Sequence, residues 1–173
     1  VIGIDKEWPS HFLIRLLKEK PGLKMEIGSV VVDEARMFKD EDEIERLRKA
    51  SEINDMAMGD LIEAIGDNGL TEIEACKALA DIYSNYGSEE FSFDPLVCYG
   101  PNCAEPHHSS NNTPLSRGSA IIIDIGCKFD GYCSDMTRSL FCGEPDEEYV
   151  KIYNLVYKAN LEAIAAVKPG VKL

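Results

Sequence analysis

Two aspartates in the stretch 121–140, IIIDIGCKFDGYCSDMTRSL, carry the clearest chemical signal in the chain. Asp124 interrupts a run of isoleucines, and Asp135 lies beyond a turn on the next segment. An ionised carboxylate among aliphatic side chains is costly unless a partner compensates it, and a metal ion is the usual compensation. Two such groups on one hairpin suggest a shared site. Spacing gives the geometry. Asp130-Gly131 is a two-residue hairpin signal, because a type I′ turn needs positive φ at both central positions. Phe129 then pairs with Tyr132, Asp124 lies opposite Thr137, and Asp135 lies opposite Gly126. Side chains alternate faces along a strand, so Asp124, Asp135 and Thr137 share one face. The carboxylates become diagonal cross-strand neighbours, with Cβ atoms about 7–8 Å apart or somewhat less. From there they can hold one divalent ion, or two ions about 3.5–4 Å apart. Gly126 is expected to leave the space beside Asp135 unfilled. Oxygen-only ligands favour Mn, Mg or Co over a thiolate-type zinc site. The alternative is a pair of solvated acids on a polar face. It suits Asp130 at the turn but not Asp124, flanked by Ile121, Ile122, Ile123 and Ile125. Thr137 reads either as a hydrogen-bond donor to a ligand carboxylate or as a residue of high β-propensity. Arg138 falls on the opposite face and is expected to pair with acids there.

The DxG…GYxSDxTR pattern, with GPNCAEPHH at 100–108 upstream of it, resembles the first half of the catalytic domain of the Xaa-Pro peptidases. That family comprises aminopeptidase P and prolidase, within the pita-bread metallopeptidases that also include methionine aminopeptidase. The resemblance covers nearly the whole chain. It implies an α+β pita-bread fold, with helices packed outside a curved antiparallel sheet and two related halves. It implies metal-dependent hydrolysis of the peptide bond preceding a proline. Two divalent ions would serve, Mn first, with Co or Zn as the other candidates. By the same resemblance Asp124 binds one metal and Asp135 bridges both. His107, which follows Pro106, would contact the substrate and the developing tetrahedral intermediate, while His108 has no assigned role. On residues alone, a lone His reads as a structural or surface residue, and His11 in an upstream helix is taken as structural. The family's remaining ligands, a His and two Glu, lie in the second half of the catalytic domain. The chain is therefore expected to be an incomplete fragment of the enzyme. Methionine aminopeptidase shares the fold and metals, but GYCSDMTR resembles the proline-specific branch more. Creatinase-like members work without these metals, and Asp124 and Asp135 argue against them. Metal-free pita-bread modules bind peptides or proteins, a reading the intact pair of aspartates disfavours. Homodimerisation is common in the resembled family.

Several elements must position these residues. Residues 1–5 read as a short strand, 10–20 as a helix capped by Ser10, and 23–32 as a strand ending in Val30-Val31-Val32. This piece is too small for its own core. It matches the tail of an amino-terminal domain, giving a boundary of 1–38 for that tail and linker and 39–173 for the half catalytic domain. Asp40 with Glu43, and Thr71 with Glu74, have capping-box spacing and open two helices. The first carries Ile44, Leu47, Ile53, Ala57, Leu61 and Ile65 at helical spacing and stops at Gly69. The second runs to about Tyr86. Residues 91–99 read as extended, and Gly100-Pro101-Asn102 turns the chain towards His107. After Pro145 an amphipathic helix carries Val150, Tyr153, Val156, Tyr157, Leu161 and Ile164.

Composition narrows the function classes. A net charge of −13 over 173 residues argues against nucleic acid or an anionic membrane as partner. No apolar run is long enough to span a bilayer. The opening VIGI carries no basic-then-apolar leader. The cysteines at 76, 98, 103, 127, 133 and 142 form no CxxC pair, which removes zinc-finger and thioredoxin readings. Reduced thiols in a cytoplasmic protein are the expectation, with a peptide as the partner.

Overall fold

The structure, a computed structural model, describes residues 1–88 and 90–172, less the side chains of 67 and 68. The chain divides into two units, Val1–Glu45 and Arg46–Leu173. In the first, β1 (Ile2–Ile4) and β2 (Met25–Ile27) pair in parallel, joined through α1 (Ser10–Glu19). Ser10 is the first helical residue and not the cap; Pro9 holds the cap position and offers no side-chain acceptor. The valine triplet is also not strand. It lies in α2 (Ser29–Met37), because the sheet ends at Ile27 and Gly28 starts a new helix. The Ser29 hydroxyl donates to Asp5 at 2.9 Å and accepts from the Lys6 amide at 2.7 Å. Those bonds fix the start of the helix. The valines stand exposed, with no neighbouring strand to reward their β-propensity.

The second unit carries the core. Helix α3 (Glu41–Asn68), whose first turn belongs to the first unit, opens with reciprocal bonds between Asp40 and Glu43. Helix α4 (Glu72–Asn85) opens with a complete Thr71 and Glu74 capping box. Both match the sequence spacing, since a cap is a local interaction. Short strands β3 (Glu90–Phe91) and β4 (Leu96–Tyr99) follow, then a 3-10 turn, Gly100–Ala104. The long hairpin comprises β5 (Ala120–Ile125), β6 (Cys127–Phe129), β7 (Tyr132–Cys133) and β8 (Met136–Phe141). The sheets run β4-β5-β8 and β3-β6-β7, with antiparallel pairing throughout. One sheet face, formed by Val97, Tyr99, Ile121, Ile123 and Ile125, is closed off by α3 and α4 through Ile53, Ala57, Leu61, Ala75, Leu79 and Tyr83. Burial of a large aliphatic side chain contributes about 1.5–3 kcal/mol, so this layer is the main support of the hairpin.

Helix α5 (Glu147–Ala166) departs from the expected amphipathic packing. Only Tyr149 is half-buried, and every later described residue of the helix is exposed. Its tyrosines 149, 153 and 157 stack along one side. No helix is long and apolar enough to cross a membrane among the described residues.

Candidate functional site

The hairpin turn has the geometry its sequence demands. Asp130 and Gly131 have φ values of 47° and 84°, as a type I′ turn needs. The register is then Phe129 with Tyr132, Lys128 with Cys133, Ile125 with Met136 and Asp124 with Thr137. Two residue pairs, Gly126 with Asp135 and Cys127 with Ser134, lie between the two ladders. Asp124 and Asp135 therefore project on the same side of the hairpin.

Asp124 is less enclosed than its sequence neighbours suggest. Ile121, Ile123 and Ile125 alternate to the core face, and Asp124 lies half-buried on the opposite, open one. Asp135 is exposed. The Thr137 hydroxyl donates to Asp124 Oδ1 at 2.8 Å, which holds that carboxylate in one orientation. Arg138 faces the core side and reaches Asp55 on α3 at 3.8 Å. On the open face, the sheet residues Ile122, Thr137 and Ser139 and the α5 residues Tyr153, Val156 and Tyr157 line a groove of about 700 Å³.

The junction between the two aspartates is tightly pinned. A Cβ on Gly126 would meet the Ser134 carbonyl and the Ser92 hydroxyl at 2.2 Å each, and the Phe93 ring at 2.7 Å. The space expected beside Asp135 is thus already filled by packed neighbours. The Ser92 hydroxyl donates to the Ser134 carbonyl at 2.8 Å, and its amide donates to the Gly126 carbonyl at 3.0 Å. Cys127 N–H donates to the Ser134 hydroxyl at 3.1 Å. From α3, the buried Asn54 donates to the Ile125 carbonyl at 3.1 Å and accepts from Tyr83 at 2.6 Å. The chain between the carboxylates is held from helix, strand and loop at once.

His107 sits apart from this network. It is the third residue of a turn over 105–108, closed by the His108 amide on the Glu105 carbonyl at 3.1 Å, and its side chain is exposed. His108 points inward, its side chain 7% exposed, with Nε2 2.8 Å from Glu72 Oε2 and Nδ1 3.4 Å from Glu105. Glu72 is wholly buried. Burial pushes its pKa up, yet its hydrogen bonds from Asn102, His108, Asn111 and Tyr99 outweigh that and hold it below the ordinary value. The hydrogen bond to Glu72 raises the pKa of His108, against a smaller opposing effect of desolvation.

Sequence reasoning missed Glu72 and Asn54. The signal for Glu72 was present: it stands in line with Ala75, Leu79 and Tyr83, the buried stripe of α4. Asn54 likewise adjoins Ile53 and Ala57 on α3. A polar residue in line with a buried stripe needs a partner. All six cysteines are free thiols. Burial raises the pKa of Cys76 and Cys103 and pushes Cys98 up to about 12, so these thiols are poor nucleophiles.

The donor set suits a hard divalent cation. Two carboxylates share a face, and one is oriented by a hydroxyl, the usual support for an oxygen ligand. Among the described residues no group of three or more His, Cys, Asp or Glu is gathered for a metal.

Residues 45–173 match the model of metallopeptidase family M24. The chain belongs to this family. An uncharacterized peptidase of Staphylococcus aureus strain USA300 is 36% identical over 144 residues, covering 83% of this chain and 41% of the relative. A prolidase from Thermococcus sibiricus superposes with a TM-score of 0.88 at 34% identity, covering 97% of this chain and 46% of that one. The prolidase from Pyrococcus horikoshii OT3 gives 0.91 at 31% identity, with 98% and 48% covered. An X-Pro aminopeptidase from Thermotoga maritima MSB8 gives 0.81 at 31% identity, with 94% and 46% covered. The M24 chain is thus α+β with the pita-bread fold, and it spans less than half the length of these relatives. The family takes its description from metal-dependent cleavage of peptides.

Proposed function

We propose that the protein containing this chain hydrolyses the peptide bond before a proline, with Asp124 and Asp135 as metal ligands and His107 as a catalytic residue. The observation that carries the reading is the pair of carboxylates on one face of a hairpin whose register is fixed by its turn. The likeness to prolidases and an X-Pro aminopeptidase supports the proline specificity. Divalent ions, manganese first, would supply Lewis acidity and a water of lowered pKa. Asp124 would offer Oδ2, since Thr137 holds Oδ1. Asp135, unencumbered by the core, would offer both oxygens. The exposed His107 imidazole would donate a hydrogen bond to the oxyanion that forms as the carbonyl is attacked, where such a donor has most effect.

The test is hydrolysis by the full-length protein of Ala-Pro, Ala-Pro-Ala, Ala-Ala and Met-Ala-Ala, with manganese and after chelation. Metal-dependent cleavage of the two proline peptides is expected. Preference for Met-Ala-Ala would replace this reading with a methionine aminopeptidase. Peptide binding without any turnover would replace it with a binding module.

A further inference from the structure

Glu72 and His108 have no part in the chemistry proposed above, yet they form the most fully satisfied buried polar group in the second unit. Four segments of one connection converge on a single carboxylate. Oε1 accepts from the Tyr99 amide and from Asn102 Nδ2, both at 2.8 Å. Oε2 accepts from His108 Nε2 at 2.8 Å and from the Asn111 amide at 3.1 Å. The first amides of α4 join in: Glu72 N–H donates to the Thr113 carbonyl at 3.2 Å, and Ile73 N–H to the Asn111 carbonyl at 2.9 Å. The helix start and its first side chain thus tie the connection at residues 99, 102, 108, 111 and 113. That stretch has no strand or α-helix of its own beyond the 3-10 turn.

His107 lies within this connection between two restrained neighbours. Pro106 precedes it and fixes its own φ near −65°. His108 follows, tied at the backbone to Glu105 and at the ring to Glu72. We propose that Glu72 and His108 are positioning residues for His107: the buried carboxylate holds its neighbour's ring, and so sets where the exposed imidazole stands. They touch no substrate. The device suits the task, because an exposed side chain on a loop is otherwise free to leave its working geometry. Orientation of that kind is worth large factors in rate.

This inference rests on His107 being catalytic, and the experiment separates the two claims. His108→Leu, which fills the space without a donor, should lower kcat at least tenfold in the full-length enzyme, with KM and bound metal unchanged. His108→Gln, whose Nε2 can still reach Glu72, should restore most of that loss. In a His107→Ala background His108→Leu should cost nothing further, because its effect runs through His107. Full additivity there, or an unchanged kcat for His108→Leu, overturns the clamp. A readout independent of turnover is the imidazole NMR signal of His107. The clamp predicts that His108→Leu shifts or broadens it and His108→Gln does not. An unmoved His107 signal overturns the clamp even if His107→Ala shows that the catalytic reading was itself mistaken. Should His108→Leu not fold, the Glu72→Gln variant replaces it in both measurements, with the same expected losses and the same overturning results.

Discussion

Replacing Gly126 with Ala tests the link between the hairpin's backbone and its two aspartates. The added methyl would sit 2.2 Å from both the Ser134 carbonyl and the Ser92 hydroxyl, where real Cβ atoms keep beyond 3.0 Å. The Ser134 carbonyl is backbone, and the Ser92 hydroxyl can swing aside only by giving up its 2.8 Å bond to that carbonyl. The Phe93 ring at 2.7 Å blocks the third direction. Forced overpacking costs about 1–3 kcal/mol, and a displaced hydrogen bond adds about 1 kcal/mol. The expected loss of stability is therefore about 2–4 kcal/mol, read as a lower urea midpoint in the full-length protein. Function should suffer separately, because the Ser134 carbonyl belongs to the peptide unit leading into Asp135. Moving it re-aims that carboxylate, and manganese affinity by calorimetry should fall about 10–100-fold, the range for disturbed ligand support. A variant with the same urea midpoint and the same manganese affinity would refute the reasoning.

Other perturbations have equally definite outcomes. Asp135→Asn should abolish metal-dependent hydrolysis while the circular dichroism spectrum stays unchanged; retained activity at full metal content would remove the ligand assignment. His107→Ala should lower turnover far more than metal content, and loss of metal instead would make it a ligand. Asn54→Leu leaves the Tyr83 hydroxyl and the Ile125 carbonyl short of a buried partner, and should cost about 2–4 kcal/mol; adding Tyr83→Phe should recover part of it, and no recovery would deny the coupling. The pH dependence follows from two opposite shifts. His108 has a raised pKa, so its contribution to stability is complete below 6.5 and disappears as pH climbs through the raised native value. Glu72 has a lowered pKa, so its contribution is present above 4.5 and disappears as pH falls through the lowered native value. Glu105 is the other titratable group facing His108. Urea midpoints across pH should show the acid loss diminished in Glu72→Gln, and an identical acid limb would remove Glu72 as its cause.

Local rules made the reactive hairpin legible from its sequence. An Asp-Gly pair forces a two-residue turn, and a period of two then fixes every pairing back to Asp124 and Thr137. The capping boxes of α3 and α4 are three-residue interactions and were equally legible. What failed was what depended on distant chain. Val30, Val31 and Val32 have strand propensity, but Gly28 and the bonds of Ser29 to residues 5 and 6 turned them into helix. Alternation puts Ile121, Ile123 and Ile125 on the face opposite Asp124, but that α3 and α4 cover their face and leave the face of Asp124 open was decided by distant chain. Glu72 takes its partners from 27 to 39 residues away, and Asn54 reaches Ile125 across 71. Sequence alone determined which carboxylates share a face, because that follows from backbone alternation. Only the tertiary structure decided how firmly that face and the His107 turn are held, because a buried polar group is committed by whichever distant donors and acceptors the fold brings to it.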